Sequence, residues 1–80
     1  MLLEPYYAFE LEIPASVTGR ALNDMQRLAA EAEAPQQEGD RTRIKGLAPV
    51  ATMRDYQREV AAYSHGEGRF ACVFSGYHPC

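Results

Sequence analysis

The sequence predicts a single α+β domain, a sandwich of order βαββαβ, and three observations predict it. Apolar residues alternate from Tyr7 to Ile13 and again from Phe70 to Phe74. They recur at spacings of three and four from Val17 to Leu28 and from Met53 to Tyr63. Between the two helical stretches, Glu38-Gly39-Asp40 separates two further extended segments. A period of two marks half-buried strands, and a period near 3.6 marks helices with one apolar stripe. Eighty residues, 46% of them hydrophobic and 24% charged, fit one domain with one small core.

In the first strand Tyr7, Phe9, Leu11 and Ile13 point one way and Ala8, Glu10 and Glu12 the other, and Pro14 closes it. Ser16 is placed to cap the helix that follows, whose stripe is Val17, Ala21, Met25 and Leu28. Gly19 costs that helix about 1 kcal/mol against alanine, so a close approach of helix to sheet is expected there.

The second and third strands are read at 30–37 and 41–48. Their register follows from the inward set Ile44, Gly46 and Ala48. A two-residue turn at Gly39-Asp40 pairs Gly46 with Glu33 and buries its carboxylate. A three-residue loop pairs Ala34 with Ile44 and Ala32 with Gly46, and sets Glu33 against Lys45. A one-residue slip turns every side chain over, so the second register is expected. Pro35 cannot donate a ladder hydrogen bond, which places its strand at an edge.

Pro49 ends the third strand. Thr52-Met53-Arg54-Asp55 reads as a capping box with an acidic fourth position. The second helix then carries Met53, Tyr56, Val60 and Tyr63 inward, leaving Arg54, Asp55, Arg58 and Glu59 wet. Residues 64–68 end it, and Phe70, Cys72 and Phe74 alternate on the last strand, beyond which Gly76 to Cys80 trail away. Right-handed crossovers put both helices on one face of a four-stranded antiparallel sheet of order 4-1-3-2, a ferredoxin-like sandwich. Glu10 and Glu12 then face Arg43 and Lys45 across the open face.

The same residues exclude several chemistries. No apolar run approaches the roughly 20 residues of a membrane span, and Met1-Leu2-Leu3 runs at once into Glu4 and Pro5, unlike a signal peptide. Cys72 and Cys80 are too few for a disulfide framework, which fits a reducing, cytoplasmic setting. A net charge of −3 argues against autonomous RNA or DNA binding, since neutralising phosphates supplies most of that affinity. It leaves room for a domain that touches RNA while others supply the grip.

Gly66-Glu67-Gly68 lacks the lysine and the following helix of a phosphate loop, and reads as a helix-ending turn with glycines for positive φ. His65, Cys72, His78 and Cys80 lack the paired spacing of structural zinc, and Cys72 is expected in the core. Ser64 beside His65 does not by itself make a nucleophile and base. Glu10/Glu12 and Glu31/Glu33 lie at strand spacing with basic neighbours opposite, as in salt-bridged surface rather than acid–base machinery. An acylphosphatase needs an arginine after the first strand, where Pro14-Ala15-Ser16 stands. An RNA-recognition motif needs exposed aromatics where Ala8, Glu10, Glu12, Arg43, Lys45 and Leu47 stand. Arg41, Arg43 and Lys45 form the strongest basic cluster, read as a salt-bridged face with phosphate contact as the lesser reading.

Ordered short motifs add a resemblance. Leu2-Leu3-Glu4-Pro5 resembles the opening of the last domain of elongation factor G and its relatives. Asp24-Met25, Ile44 through Pro49, Met53 with Tyr56, Gly66-Glu67-Gly68-Arg69-Phe70 and Phe74 with Tyr77 are similar to that domain's later motifs, in order. Gly76-Tyr77-His78 and Leu3-Glu4-Pro5-Tyr6 resemble the tetracycline-resistance ribosomal protection branch. The resemblance implies that residues 1–80 are one C-terminal-type domain cut from a larger multidomain GTPase. It implies no catalysis and no cofactor here, GTP and Mg belonging to a G domain absent from these residues.

The implied partners are the bacterial 70S ribosome, through large-subunit rRNA near the stalk base and the sarcin–ricin loop, and neighbouring domains of the parent. No membrane and no DNA partner is implied, and the fragment is expected to be monomeric. By the same resemblance Ser64, His65, Gly66, Glu67, Gly68 and Arg69 are the rRNA-contact candidates, and Glu10, Glu12, Arg43 and Lys45 the interdomain face. Two other readings stand beside it: the same domain of an ordinary elongation factor G, and a regulatory ferredoxin-like domain binding a small molecule at a dimer interface.

Overall fold

Phe9, Leu11 and Ile13 are each at most 3% exposed, and they fix where the core lies. They belong to β1 (Leu3–Pro14) in a computed structural model that describes residues 3–79. A 3₁₀ turn, Ala15–Val17, leads into α1 (Thr18–Arg27). Then follow β2 (Glu31–Ala32), β3 (Gln36–Glu38), β4 (Arg41–Pro49), α2 (Val50–Met53), α3 (Tyr56–Tyr63) and β5 (Arg69–Pro79). Ala21, Met25 and Leu28 from the first helical stretch and Met53, Tyr56 and Val60 from the second close over β1, Ile44 and Ala48. Both helical stripes expected from the spacing are the buried ones.

The architecture is an antiparallel α+β sandwich, with corrections to its detail. The sheet has five strands instead of four, in the order β2-β4-β1-β5 with β3 also on β4; the count differs because the expected second strand is split into β2 and β3, while the neighbours expected from 4-1-3-2 are kept. The strand expected over 30–37 is two short pieces in different registers. Ala32 stands opposite Gly46, as the three-residue loop requires, whereas Glu38 stands opposite Arg41 across a two-residue Gly39-Asp40 turn. Both registers therefore occur, one on each side of residues 33–35, where three residues span two of β4. Pro35 sits in that break because it has no N–H to give the ladder.

Gly46 has a steric reason. A Cβ there would lie 2.2 Å from the Glu31 carbonyl oxygen, so only glycine lets β2 cross so near β4. Gly19, by contrast, faces open space, with nothing within 4 Å of a Cβ, and the close approach expected at that point does not occur. Two expected caps are also replaced. No side chain caps either helical start near Ser16, and Thr18 Oγ1 instead donates to Thr42 Oγ1 at 2.8 Å, tying α1 to β4. Thr52 Oγ1 donates to the carbonyls of Leu28 and Pro49. The helix has already begun at Val50 and is interrupted at Arg54-Asp55, so Thr52 lies inside it.

The last strand is longer than alternation suggested. Tyr77 to Pro79 remain paired, Leu3 standing opposite Pro79. Ser75 and Gly76 together oppose Tyr6 in a bulge, with Gly76 at φ 93. The extra residue returns Tyr77 to the side of Phe74, and the two rings meet edge to face at 5.5 Å. Cys72 is exposed, not core. It lies opposite buried Phe9, but β5 is an edge strand of the sheet. Cys80 and the side chain of His78, named above as possible ligands, lie outside the described residues, as does Leu2.

Candidate interaction surfaces

The turn after α3 is built by α3 itself. The Gly66 N–H reaches back to the Ala61 carbonyl at 2.9 Å while His65 takes φ 55 and Gly66 φ 81, the left-handed helix ending. The same ending closes α1, where Ala29 has φ 58 and the Ala30 N–H reaches Met25 O at 3.0 Å. Neither left-handed position immediately after the helix is a glycine. Gly68 is needed for space instead: a Cβ there would lie 2.6 Å from Val60 Cγ1 and 2.8 Å from Ser64 Oγ.

Of the six turn candidates, His65, Gly66, Glu67 and Arg69 are exposed and Gly68 is half-buried. Ser64 is buried; its hydroxyl donates to the Val60 carbonyl and accepts from the Gly68 N–H. Its side chain holds the turn together and offers nothing to a ligand.

On the open face of the sheet, β1 sets Glu10 opposite Lys45 and Glu12 opposite Arg43. The Arg43–Glu12 ion pair runs straight across, and Arg41–Glu12 and Arg43–Glu10 run diagonally. Arg41 donates to Glu12 Oε1 at 3.1 Å and Arg43 to Glu12 Oε2 at 3.3 Å. Arg43 Nε lies 3.2 Å from Glu10 Oε1, an ion pair whose angle does not make it a hydrogen bond. The hydrogen bonds from Arg41 and Arg43 hold the Glu12 carboxyl below the usual range. Lys45 makes no ion pair among the described residues; its backbone carbonyl accepts from Glu33 N–H at 2.8 Å.

Arg41 joins the two surfaces. Besides Glu12 it donates to the Glu67 carbonyl at 3.0 Å, so the charged face and the turn are coupled through one guanidinium. Alternation placed Arg41 on this face, but only the fold brings residue 67 to it.

A third cluster escaped the sequence reading. Asp24 is 5% exposed and accepts from Arg20 Nε, Arg27 and the Tyr56 hydroxyl, the last at 3.0 Å. The Tyr56 hydroxyl has one proton, given to Asp24, so at 2.9 Å it accepts from Tyr63. Burial, then the contact with Tyr63, raises the Tyr56 hydroxyl far above its ordinary range, and burial raises that of Tyr63. Arg27 continues to Glu59 at 2.7 Å, and Arg20 lies over the Tyr63 ring at 5.1 Å. This network clamps α1 to α3. The sequence signal for it is an acid one turn after Arg20 and three residues before Arg27.

No three His, Cys, Asp or Glu side chains converge as a metal site among the described residues. No helix among them is long and apolar enough to cross a membrane.

Comparison with known proteins places these surfaces in a family. The model of the elongation factor G C-terminus matches residues 1–80. Tetracycline resistance protein TetP of Clostridium perfringens is 39% identical over 77 residues, 96% of this chain and 12% of that protein. The oxytetracycline resistance protein of Streptomyces rimosus is 36% identical over 76 residues, 95% of this chain and 12% of its own length. Elongation factor G 1 of Geobacter sulfurreducens is 33% identical over 76 residues, 95% of this chain and 11% of that protein. A crystal structure from Thermus thermophilus superposes with a TM-score of 0.84 at 27% identity, over 94% of this chain and 11% of that one. The chain thus spans about an eighth of the length of its relatives. With a family match over every residue and the same sandwich in a solved relative, the chain belongs to the elongation factor G C-terminus family.

Proposed function

We propose that this chain is a non-catalytic docking module of a cytoplasmic translational GTPase of the ribosomal protection type. The observation that carries the reading is the family match over all 80 residues, joined to relatives named for tetracycline resistance at 39% and 36% identity. GTP and Mg belong, on this reading, to another domain of the parent. The turn 64–69 meets large-subunit rRNA near the stalk base and sarcin–ricin loop of the bacterial ribosome. The face of Glu10, Glu12, Arg43 and Lys45 meets a neighbouring domain.

The charge balance of that face supports the second assignment. Its carboxylates and guanidiniums satisfy one another within the chain, as suits a surface held against protein rather than phosphate. Anisotropy of the labelled chain titrated with bacterial 50S subunits tests the first. Weak, salt-sensitive binding with no GTP hydrolysis is expected, and tight GTP binding by the chain alone would sink the proposal.

A second reading, the same domain of an ordinary elongation factor G, is favoured by the 33% identity to the Geobacter sulfurreducens protein. Expression of the parent reading frame in a tetracycline-sensitive bacterium separates the two. Raised tetracycline tolerance supports the protection branch; restored growth of an elongation-factor-depleted strain without such tolerance supports the other.

A further inference from the structure

The eight cationic side chains divide into two groups. Arg20 and Arg27 are engaged by Asp24 and Glu59, and Arg41 and Arg43 by Glu10 and Glu12. Lys45, Arg54, Arg58 and Arg69 make no ion pair among the described residues. Two of these four stand beside carboxylates: Lys45 is opposite Glu10 and Arg69 opposite Glu12. Arg54 and Arg58 are elsewhere, on the outer side of the helical layer.

Both are exposed, and with Asp55, Gln57 and Ala61 they surround one shallow depression. Asp55 is the single carboxylate there, so the patch keeps a net positive charge. Arg54 stands at the break between α2 and α3 and Arg58 within α3, so the two like charges gain no helical pairing, and both are exposed, off the core. Folding gives no reason for the pair.

We propose that Arg54 and Arg58 form a second RNA-phosphate contact, separate from the 64–69 turn, with the Gln57 amide as a neutral donor and Ala61 leaving room for the backbone. The inference rests on the ribosome-docking reading for the source of the RNA, but different residues carry it. A guanidinium offers phosphate two parallel donors, and two of them on the rim of one depression can take neighbouring phosphates of one strand. The contact adds grip without sequence preference.

The test compares R54Q/R58Q with N23D/Q26E, which lowers net charge equally on exposed positions of α1, and with R69Q in the turn. Circular dichroism checks that each is folded. Anisotropy then measures binding to 50S subunits and to protein-free 23S rRNA across a salt series. For R54Q/R58Q the slope of log affinity against log salt is expected to fall by about 1.5 on both RNAs, two phosphate contacts' worth. N23D/Q26E should leave that slope unchanged.

An unchanged R54Q/R58Q slope beside a weakened R69Q overturns this inference and leaves the docking reading standing. Equal losses in R54Q/R58Q and N23D/Q26E also overturn it, since net charge alone would explain them. A loss on 50S subunits but not on 23S rRNA overturns it in favour of a ribosomal protein partner. Absence of wild-type binding to either particle at low salt defeats the docking reading and this inference together.

Discussion

At the scale of single residues, Asp24 and Glu12 show two ways of holding a charge. Asp24 is buried and surrounded by donors from two helices. Removing one partner of such a group strands the others. Asp24→Ala is expected to cost about 3 kcal/mol and Tyr56→Phe about 1 kcal/mol, both read from urea unfolding midpoints. Glu12 lies on the wet face, and its carboxyl is depressed by hydrogen bonds from Arg41 and Arg43. Its folded value therefore lies below its unfolded one. Its contribution is complete above the unfolded value and is lost as pH falls through the depressed folded value. Glu12→Gln should flatten that part of the acid limb of stability against pH, and high salt should mimic the change by screening. A wild-type-like acid limb in Glu12→Gln would refute the assignment.

At the scale of elements, α1 and α3 each end with a non-glycine residue in the left-handed region. Ala29, exposed at φ 58, carries a strain that glycine would relieve. Ala29→Gly is expected to stabilise the chain by about 1 kcal/mol in thermal or urea unfolding, the reverse of the usual effect of glycine. The edge of the sheet behaves oppositely. Gly46→Ala pushes a Cβ into the Glu31 carbonyl, which backbone cannot yield easily. Loss of amide-exchange protection along β2 is expected, at a cost of about 2 kcal/mol. Protection at the centre of β1 should persist until global unfolding.

At the scale of the molecule, the body measures 43 × 23 × 19 Å, and the core occupies only part of its length. Towards the outer ends of β1 and β5, Leu3, Phe74 and Tyr77 are 58%, 57% and 63% exposed. Phe70 instead packs against the core, with its ring edge to face with Tyr56 at 5.6 Å. Phe70→Ala is therefore expected to cost about 3 kcal/mol, and Phe74→Ala less than about 0.5 kcal/mol. Equal losses in parallel urea titrations would show that the far end of the ribbon belongs to the folding core.

Local pattern located the strands, though neither the break at 33–35 nor the reach of β5, and with them the two apolar stripes and the family motifs, because period and side-chain chemistry are properties of neighbouring residues. It placed Phe9, Leu11, Ile13, Met25 and Tyr56 inside and set Glu10 and Glu12 facing the basic strand. The tertiary structure decided what depends on residues far apart in the chain. Two registers coexist around Pro35 because β4 accepts both, and Cys72 is exposed on the edge strand although it lies opposite buried Phe9. Ser16 caps no helix, and Thr52 serves a tertiary hydrogen bond to Leu28 in preference to a cap. The Asp24 clamp and the Arg41 link to Glu67 span 32 and 26 residues. Alternation cannot encode such pairs, since each depends on how one element crosses another.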